Sequence, residues 1–270
     1  MLHACLTRLA KAVTNDVQVV VSLDRGYLRD CREVAESFSG TFPTLFLRLM
    51  QNHRHRGNSY NVLSGLGDCL KGTGQPDLVH VVEEDILVSR GYFAFHEAMH
   101  AAAPDAFAVS ACRNQNAPAE GPAYLHASYQ SLGVSFRPDR VQAFLGHAAP
   151  AYYGAMQQYC QRNFPRSVIP PGHCEQDGLI NRVRESLGAR TVYAERPRAY
   201  HAGFYGYNRA GTKLLEGYVH EKSERILGMS TEELNEMAGA IKDYEAIDLD
   251  EILPTGPEEE ALRNSWATST

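Results

Sequence analysis

The chain has 270 residues, an ordinary 44% hydrophobic content and a formal net charge of −6, which is enough polypeptide for one large core or two lobes sharing it. No apolar run approaches the ~20 residues that span a bilayer, and the opening MLHACLTRLAKAV is amphipathic, with His, Arg and Lys interspersed, unlike the apolar stretch of a signal peptide. The charge argues against a strongly basic body: residues 243–270 hold eight acids and one arginine, leaving 25 basic against 24 acidic residues in 1–242, a net of +1.

In chain order, residues 2–13 read as a helix and VQVVVSL (17–23) as a buried, β-branched strand. A helix over 28–38, the strand TLFLRLM (44–50), the polar loop QNHRHRGN and a helix from Ser59 to about Leu70 follow. LVHVV (78–82) is the next strand, then a helix over 90–102 and the strand AFAVSAC. This β-α-β-α rhythm predicts an α/β fold with a mostly parallel central sheet flanked by helices. Beyond it, YQSLGVSFRP reads as a strand and residues 139–145, 151–162 and 175–187 as helices. RTVYAERPRAYHAGFYGYN reads as a strand running into a Gly- and Tyr-rich loop. Helices are expected over 211–227 and from Ser230, where Ser230 and Glu233 form a capping box. The Gly-, Pro- and Asn-containing stretch 113–123 is the best seam, dividing one domain into halves 1–112 and 113–242, with 243–270 an acidic, partly disordered tail.

The six cysteines, at 5, 31, 69, 112, 160 and 174, form no C-x-x-C pair, and no N-x-S/T sequon occurs. Both point to free thiols and a cytoplasmic protein.

The informative stretch is HVVEEDILV (80–88), where Glu83, Glu84 and Asp85 interrupt an apolar run. Charges there are costly unless something pairs with them. Two readings stand: a strand running out into a solvated loop, or a site for a hard divalent cation, Mg²⁺ or Mn²⁺, beyond the carboxyl end of a sheet strand.

Six segments, in order, carry a resemblance: VVVSLDRG, HVVEEDILVSRGYFAFHEAM, AFAVSACRNQN, SLGVSFRPDRV, HCEQDGLINRV and ERPRAYHAGFYGYN. Together they are similar to the N-acetylglucosaminyltransferase I family of inverting glycosyltransferases, which have the A-type nucleotide-sugar fold. The resemblance spans roughly residues 2–210. It implies a donor half in 1–112, an acceptor and catalytic half in 113–242, and a UDP-linked sugar donor. It also implies Mn²⁺ or Mg²⁺ as cofactor and inversion at the anomeric carbon. Asp24 would contact the nucleotide base, with His53 (or His55) and Arg54 from the polar loop beside it. Glu84 would face the ribose, Glu83 would support the rim, and Asp85 would bind the cation, with His201 contacting the cation or the diphosphate. Asp177 would be the general base, with Glu175 the next candidate.

Each residue also has a plain structural role open to it. Asp24 can cap a turn, His53 can sit in a solvated basic loop, and acids in a helix's first turn are favoured by its dipole.

The chain departs from the family pattern in two places. The family opens with a strand and an Asn/Lys-Arg turn that have no counterpart here, so the native start lies upstream, the chain is truncated, or another segment fills the slot. Losing that strand would expose the edges of its neighbours. Glu84 also stands where an Asp is usual. The acceptor stays open among a glycan, a protein, a small molecule and a hydroxylated base in DNA, the last with NHRHR and QRNFPR on phosphates. A soluble excised catalytic domain, a nucleotidyltransferase and a catalytically inactive nucleotide-sugar-binding module are the competing readings.

Overall fold

The computed structural model describes residues 2–201 except 15, 25–27, 43–44, 50–56, 72–74, 113–122, 168–172 and 195–196. The polar loop with His53, Arg54 and His55, the stretch after His201 and the acidic tail therefore lie outside the described residues. The helices expected over 211–227 and from Ser230 lie there too.

The chain runs α1 (Leu2–Ala12), β1 (Val19–Leu23), α2 (Leu28–Ser37), β2 (Leu45–Leu49), α3 (Asn58–Cys69), β3 (Val79–Val81), β4 (Ile86–Val88) and α4 (Tyr92–Ala102). It continues through β5 (Ala108–Ser110), β6 (Ala123–His126), β7 (Val134–Phe136), α5 (Pro138–Leu145), α6 (Pro150–Gly154), α7 (Met156–Asn163), α8 (Gln176–Ser186), β8 (Thr191–Ala194) and β9 (Ala199–His201). Local chemistry accounts for many of these boundaries. Pro138 and Pro150 sit in the first turns of α5 and α6, where a missing N–H costs nothing. The expected single helix over 151–162 is two, because Ala155 leaves helical geometry at φ −160° and ψ 67°, directly after Gly154.

The strands form a five-stranded sheet in the order β3-β7-β5-β8-β6 and two separate pairs, β1-β2 and β4-β9. β1 and β2 are parallel, as are β5 and β8, but β3–β7, β5–β7, β6–β8 and β4–β9 are antiparallel. The α/β class stands, but the mostly parallel sheet expected from the sequence is corrected: the main sheet is mostly antiparallel. β5, β7 and β8 are buried along their whole length. A continuous apolar run reports burial on both faces, not strand direction.

Helices cover both faces of that sheet. Leu63 and Leu66 of α3, Val141 and Phe144 of α5, and Leu179, Ile180 and Val183 of α8 pack on Val79, Ala108, Val134 and Phe136. On the other face, Phe95 and Met99 of α4 pack on Val109, Val192 and Ala194. A further cluster joins Leu6 and Leu9 of α1, Val19 and Val21 of β1, Ala35 of α2, and Ile86 and Val88 of β4. Among the described residues β1 is hydrogen-bonded only to β2, and β3 only to β7, so each keeps one edge without a strand partner. None of the six cysteines is in a disulfide. No helix among the described residues is long and apolar enough to cross a membrane.

Candidate functional site

The register of β3 and β7 defines the site. Val81 pairs with Val134, so the residues that leave β3 lie beside those that enter β7. Glu83 therefore meets Ser131 at the sheet rim, with Glu84 and Asp85 following it in the chain. The chain turns sharply there, with the Ile86 N–H donating to the Glu83 carbonyl at 3.0 Å, and enters β4. β4 pairs with β9, placing His201 opposite Ile86. His201 Nε2 then lies 3.2 Å from Asp85 Oδ2 although 116 residues separate them. Both side chains are partly exposed, at 31% and 24%. Glu84 points outward and is exposed.

Asp177 reaches the same rim from α8. Glu175 is the residue that precedes this helix and is exposed, whereas Asp177 lies in its first turn and is half-buried. Two contacts fix the helix start. The Ser59 hydroxyl donates to Gln176 Oε1 at 2.8 Å, and the Gln176 N–H donates back to Ser59 Oγ at 3.1 Å. Gly178 packs so close to the preceding loop that a Cβ there would stand 2.1 Å from the His173 carbonyl oxygen. Ser131 donates to Asp177 Oδ2 at 3.0 Å, and its hydroxyl also lies within hydrogen-bond reach of Glu83.

Electrostatics follow from this crowding. Burial, then the charges of Asp177, Asp85 and Glu84, push the Glu83 carboxyl up to about 8, against a smaller lowering by Ser131. Burial raises the Asp177 carboxyl, with the Ser131 hydrogen bond opposing and the Glu175 charge adding to the rise. Asp85 Oδ1 and Asp177 Oδ1 are buried and have no hydrogen-bond partner among the described residues. Such oxygens are costly to leave unmatched, and several carboxylates at one spot favour a cation or a shared proton.

Among the described residues no group of three or more His, Cys, Asp or Glu side chains is arranged to hold a metal ion. Asp85 and His201 supply two. A Mg²⁺ or Mn²⁺ ion that shares its coordination with a substrate diphosphate and waters uses only one or two protein carboxylates. The orphaned Asp85 oxygen fits that role.

Asp24 follows β1 and accepts the Gly57 N–H at 2.9 Å. Ser22 and Asn61 tie β1 to α3 through Ser22 Oγ to Asn61 Oδ1 at 2.7 Å and Asn61 Nδ2 to the Ser22 carbonyl at 3.1 Å. The structure thus brings Glu83, Asp85, His201 and Asp177 to one rim, with Glu84 at its outer edge. Asp24 is anchored to the loop ahead of α3. Ser131 and the Ser59–Gln176 pair were not read from the sequence. Their roles depend on partners 46 and 117 residues away, which no local pattern encodes.

No family model and no curated protein matches the chain.

Proposed function

We propose that the chain is a metal-dependent inverting glycosyltransferase that moves a sugar from a nucleoside-diphosphate donor, UDP-linked, to an acceptor hydroxyl. The observation that carries this reading is the convergence of an acid–histidine pair, Asp85 and His201, with a half-buried carboxylate, Asp177, at one sheet rim. Asp85 and His201 would hold Mn²⁺ or Mg²⁺, which neutralises charge on a departing diphosphate.

The remaining roles belong to the chain's own side chains. Asp177 presents its unpartnered Oδ1 to the acceptor hydroxyl. As the acceptor oxygen bonds to the anomeric carbon, the bond from that carbon to the diphosphate oxygen breaks. The nucleoside diphosphate leaves with the electron pair, and the acceptor proton passes to Asp177. A carboxylate with a raised pKa is a better base for this step than an ordinary one. A base on the face opposite the leaving group gives inversion. Glu83 supports the rim, and Glu84 and Asp24 would meet the nucleoside.

A thermal-shift screen of nucleotide sugars with and without Mn²⁺, followed by assay of UDP-sugar hydrolysis, tests the reading. Stabilisation by a UDP-sugar that requires both Mn²⁺ and Asp85 is expected. Binding without any turnover would favour an inactive binding module, and no response to any UDP-sugar would overturn the proposal.

A further inference from the structure

We propose that Ser131 is a positioning residue for Asp177: its hydroxyl pins Oδ2 and leaves the buried Oδ1 as the one uncommitted acceptor of the carboxylate. The argument starts from valence. A serine hydroxyl carries one proton, and here it goes to Asp177 Oδ2 over 3.0 Å. The other oxygen, Oδ1, is buried with no hydrogen-bond partner among the described residues. A carboxylate with one oxygen held and the other uncommitted has a single defined acceptor direction. Without the serine, rotation about the terminal torsion would exchange the two oxygens, since such torsions are broad and two-fold.

The backbone explains why residue 131 can do this. Gly133 has φ +58° and sits against Ala199, Ile86 and Tyr92, with a Cβ placed there 3.2 Å from Ala199 Cβ and 3.3 Å from Ile86 Cγ2. The chain entering β7 is therefore pressed onto the β4–β9 pair, and Ser131 comes to lie between the turn after β3 and the start of α8. The titratable groups around Asp177 are Glu83 from that turn, Glu175 from the start of α8, and Tyr129 from the segment that carries Ser131. Ser131 is a neutral donor beside these acids, so it can orient the carboxylate without cancelling its charge.

The kinetic arm of the test rests on the transferase reading; the spectroscopic arm does not. The probe is the ¹³C-carboxyl NMR titration of Asp177 in the wild type, Ser131→Ala and Ser131→Thr, with thermal melts to show that all three fold. Loss of a hydrogen bond to the charged form should move the Asp177 midpoint upward in Ser131→Ala and leave it near wild type in Ser131→Thr. Where transfer is measurable, Ser131→Ala should lower kcat roughly 10- to 100-fold with KM little changed, and Thr should restore it. An Asp177 midpoint that is the same in all three proteins would overturn the inference. If the wild type turns over no sugar nucleotide, the transferase reading fails while the titration still decides the Ser131–Asp177 coupling.

Discussion

At the scale of single residues, the two acids that open α8 are separated by their surroundings rather than by their chemistry. Glu175 is exposed; Asp177 is half-buried, bonded through one oxygen and, at the other, buried with no hydrogen-bond partner among the described residues. Burial raises the Asp177 carboxyl, although the helix N-terminus favours its ionised form. Asp177→Asn is therefore expected to lower transfer by roughly 10²- to 10⁴-fold while donor binding survives, and Glu175→Gln to change it little. Steady-state rates alongside calorimetric UDP-sugar binding would decide, and the opposite pattern would move the base to Glu175. Gly133 gives a second residue-level expectation. Its φ of +58° and the tight approach of Ala199 and Ile86 leave no place for a side chain. Gly133→Ala should cost at least about 1–2 kcal/mol from the left-handed backbone alone, read as a lower urea midpoint. At this scale the sequence singled out Asp85, Asp177 and His201 by their places in ordered segments, and the structure brings the three to one rim. Ser131 was silent, because its segment YQSLGVSFRP reads as a strand and says nothing about a carboxylate 46 positions away.

At the scale of elements, α4 carries a buried polar spine that the sequence reading passed over as ordinary helix. His96 Nδ1 and His100 Nε2 both meet Ser135 Oγ of β7, at 2.6 and 2.9 Å. His80 of β3 packs edge-on against His96, with ring centroids 5.0 Å apart, and touches the rings of Tyr92 and Phe93. Burial holds all three imidazoles neutral: His80 falls to about 3 and His100 to about 4, and His96 lies well below its ordinary value. The neighbouring His80 and His100 rings, Arg137 and, in the opposite sense, Asp139 add to this. The unfolded chain takes up these protons near 6.5, whereas the folded chain does not until far lower pH. Stability contributed by this spine is thus complete above 6.5 and lost as pH falls toward 4. By pH 5 the loss should be on the order of 1–2 kcal/mol per histidine. His80→Phe, which keeps the ring packing, should flatten the fall in melting temperature between pH 7.5 and about 5; an unchanged slope would show that His80 takes no part. Elements also show where the sequence was mute. The long helices and the apolar runs that contain β1 and β3 were legible, but β4, β6 and β9 were not. β4 follows directly on three acids, and β6 and β9 adjoin Pro-containing polar stretches, so no separate apolar run marks them and their pairing is set by distant chain.

At the scale of the whole molecule, the division of the strands into separate sheets has an energetic consequence. The five-stranded sheet is covered by helices on both faces and has β5 and β8 bonded on both sides. The β1–β2 pair has one ladder, and a two-stranded sheet is marginal by itself. It is held by α1, α2 and α3, through the apolar contacts of Leu6, Leu9 and Ala35 and the Ser22–Asn61 hydrogen bonds. The region α1-β1-α2-β2 is therefore expected to open as a unit of lower stability than the main sheet. In native-state hydrogen exchange the amides of β5, β7 and β8 should exchange only with global unfolding, and those of β1 faster. The same division bears on function, because Asp24 lies at the end of β1 while Asp85 and Asp177 belong to the main sheet's rim. A ligand that spans both must close the less stable region onto the more stable one. Mn²⁺ with uridine diphosphate should therefore slow exchange in β1 and in the first turn of α3, and also in β5 and β8, because a ligand bound only to the native state raises the free energy of global unfolding as well. Protection of β5 and β8 without protection of β1 would mean that the β1 region opens without releasing the nucleotide and so is not bridged by it, and no protection anywhere would mean that this nucleotide does not bind.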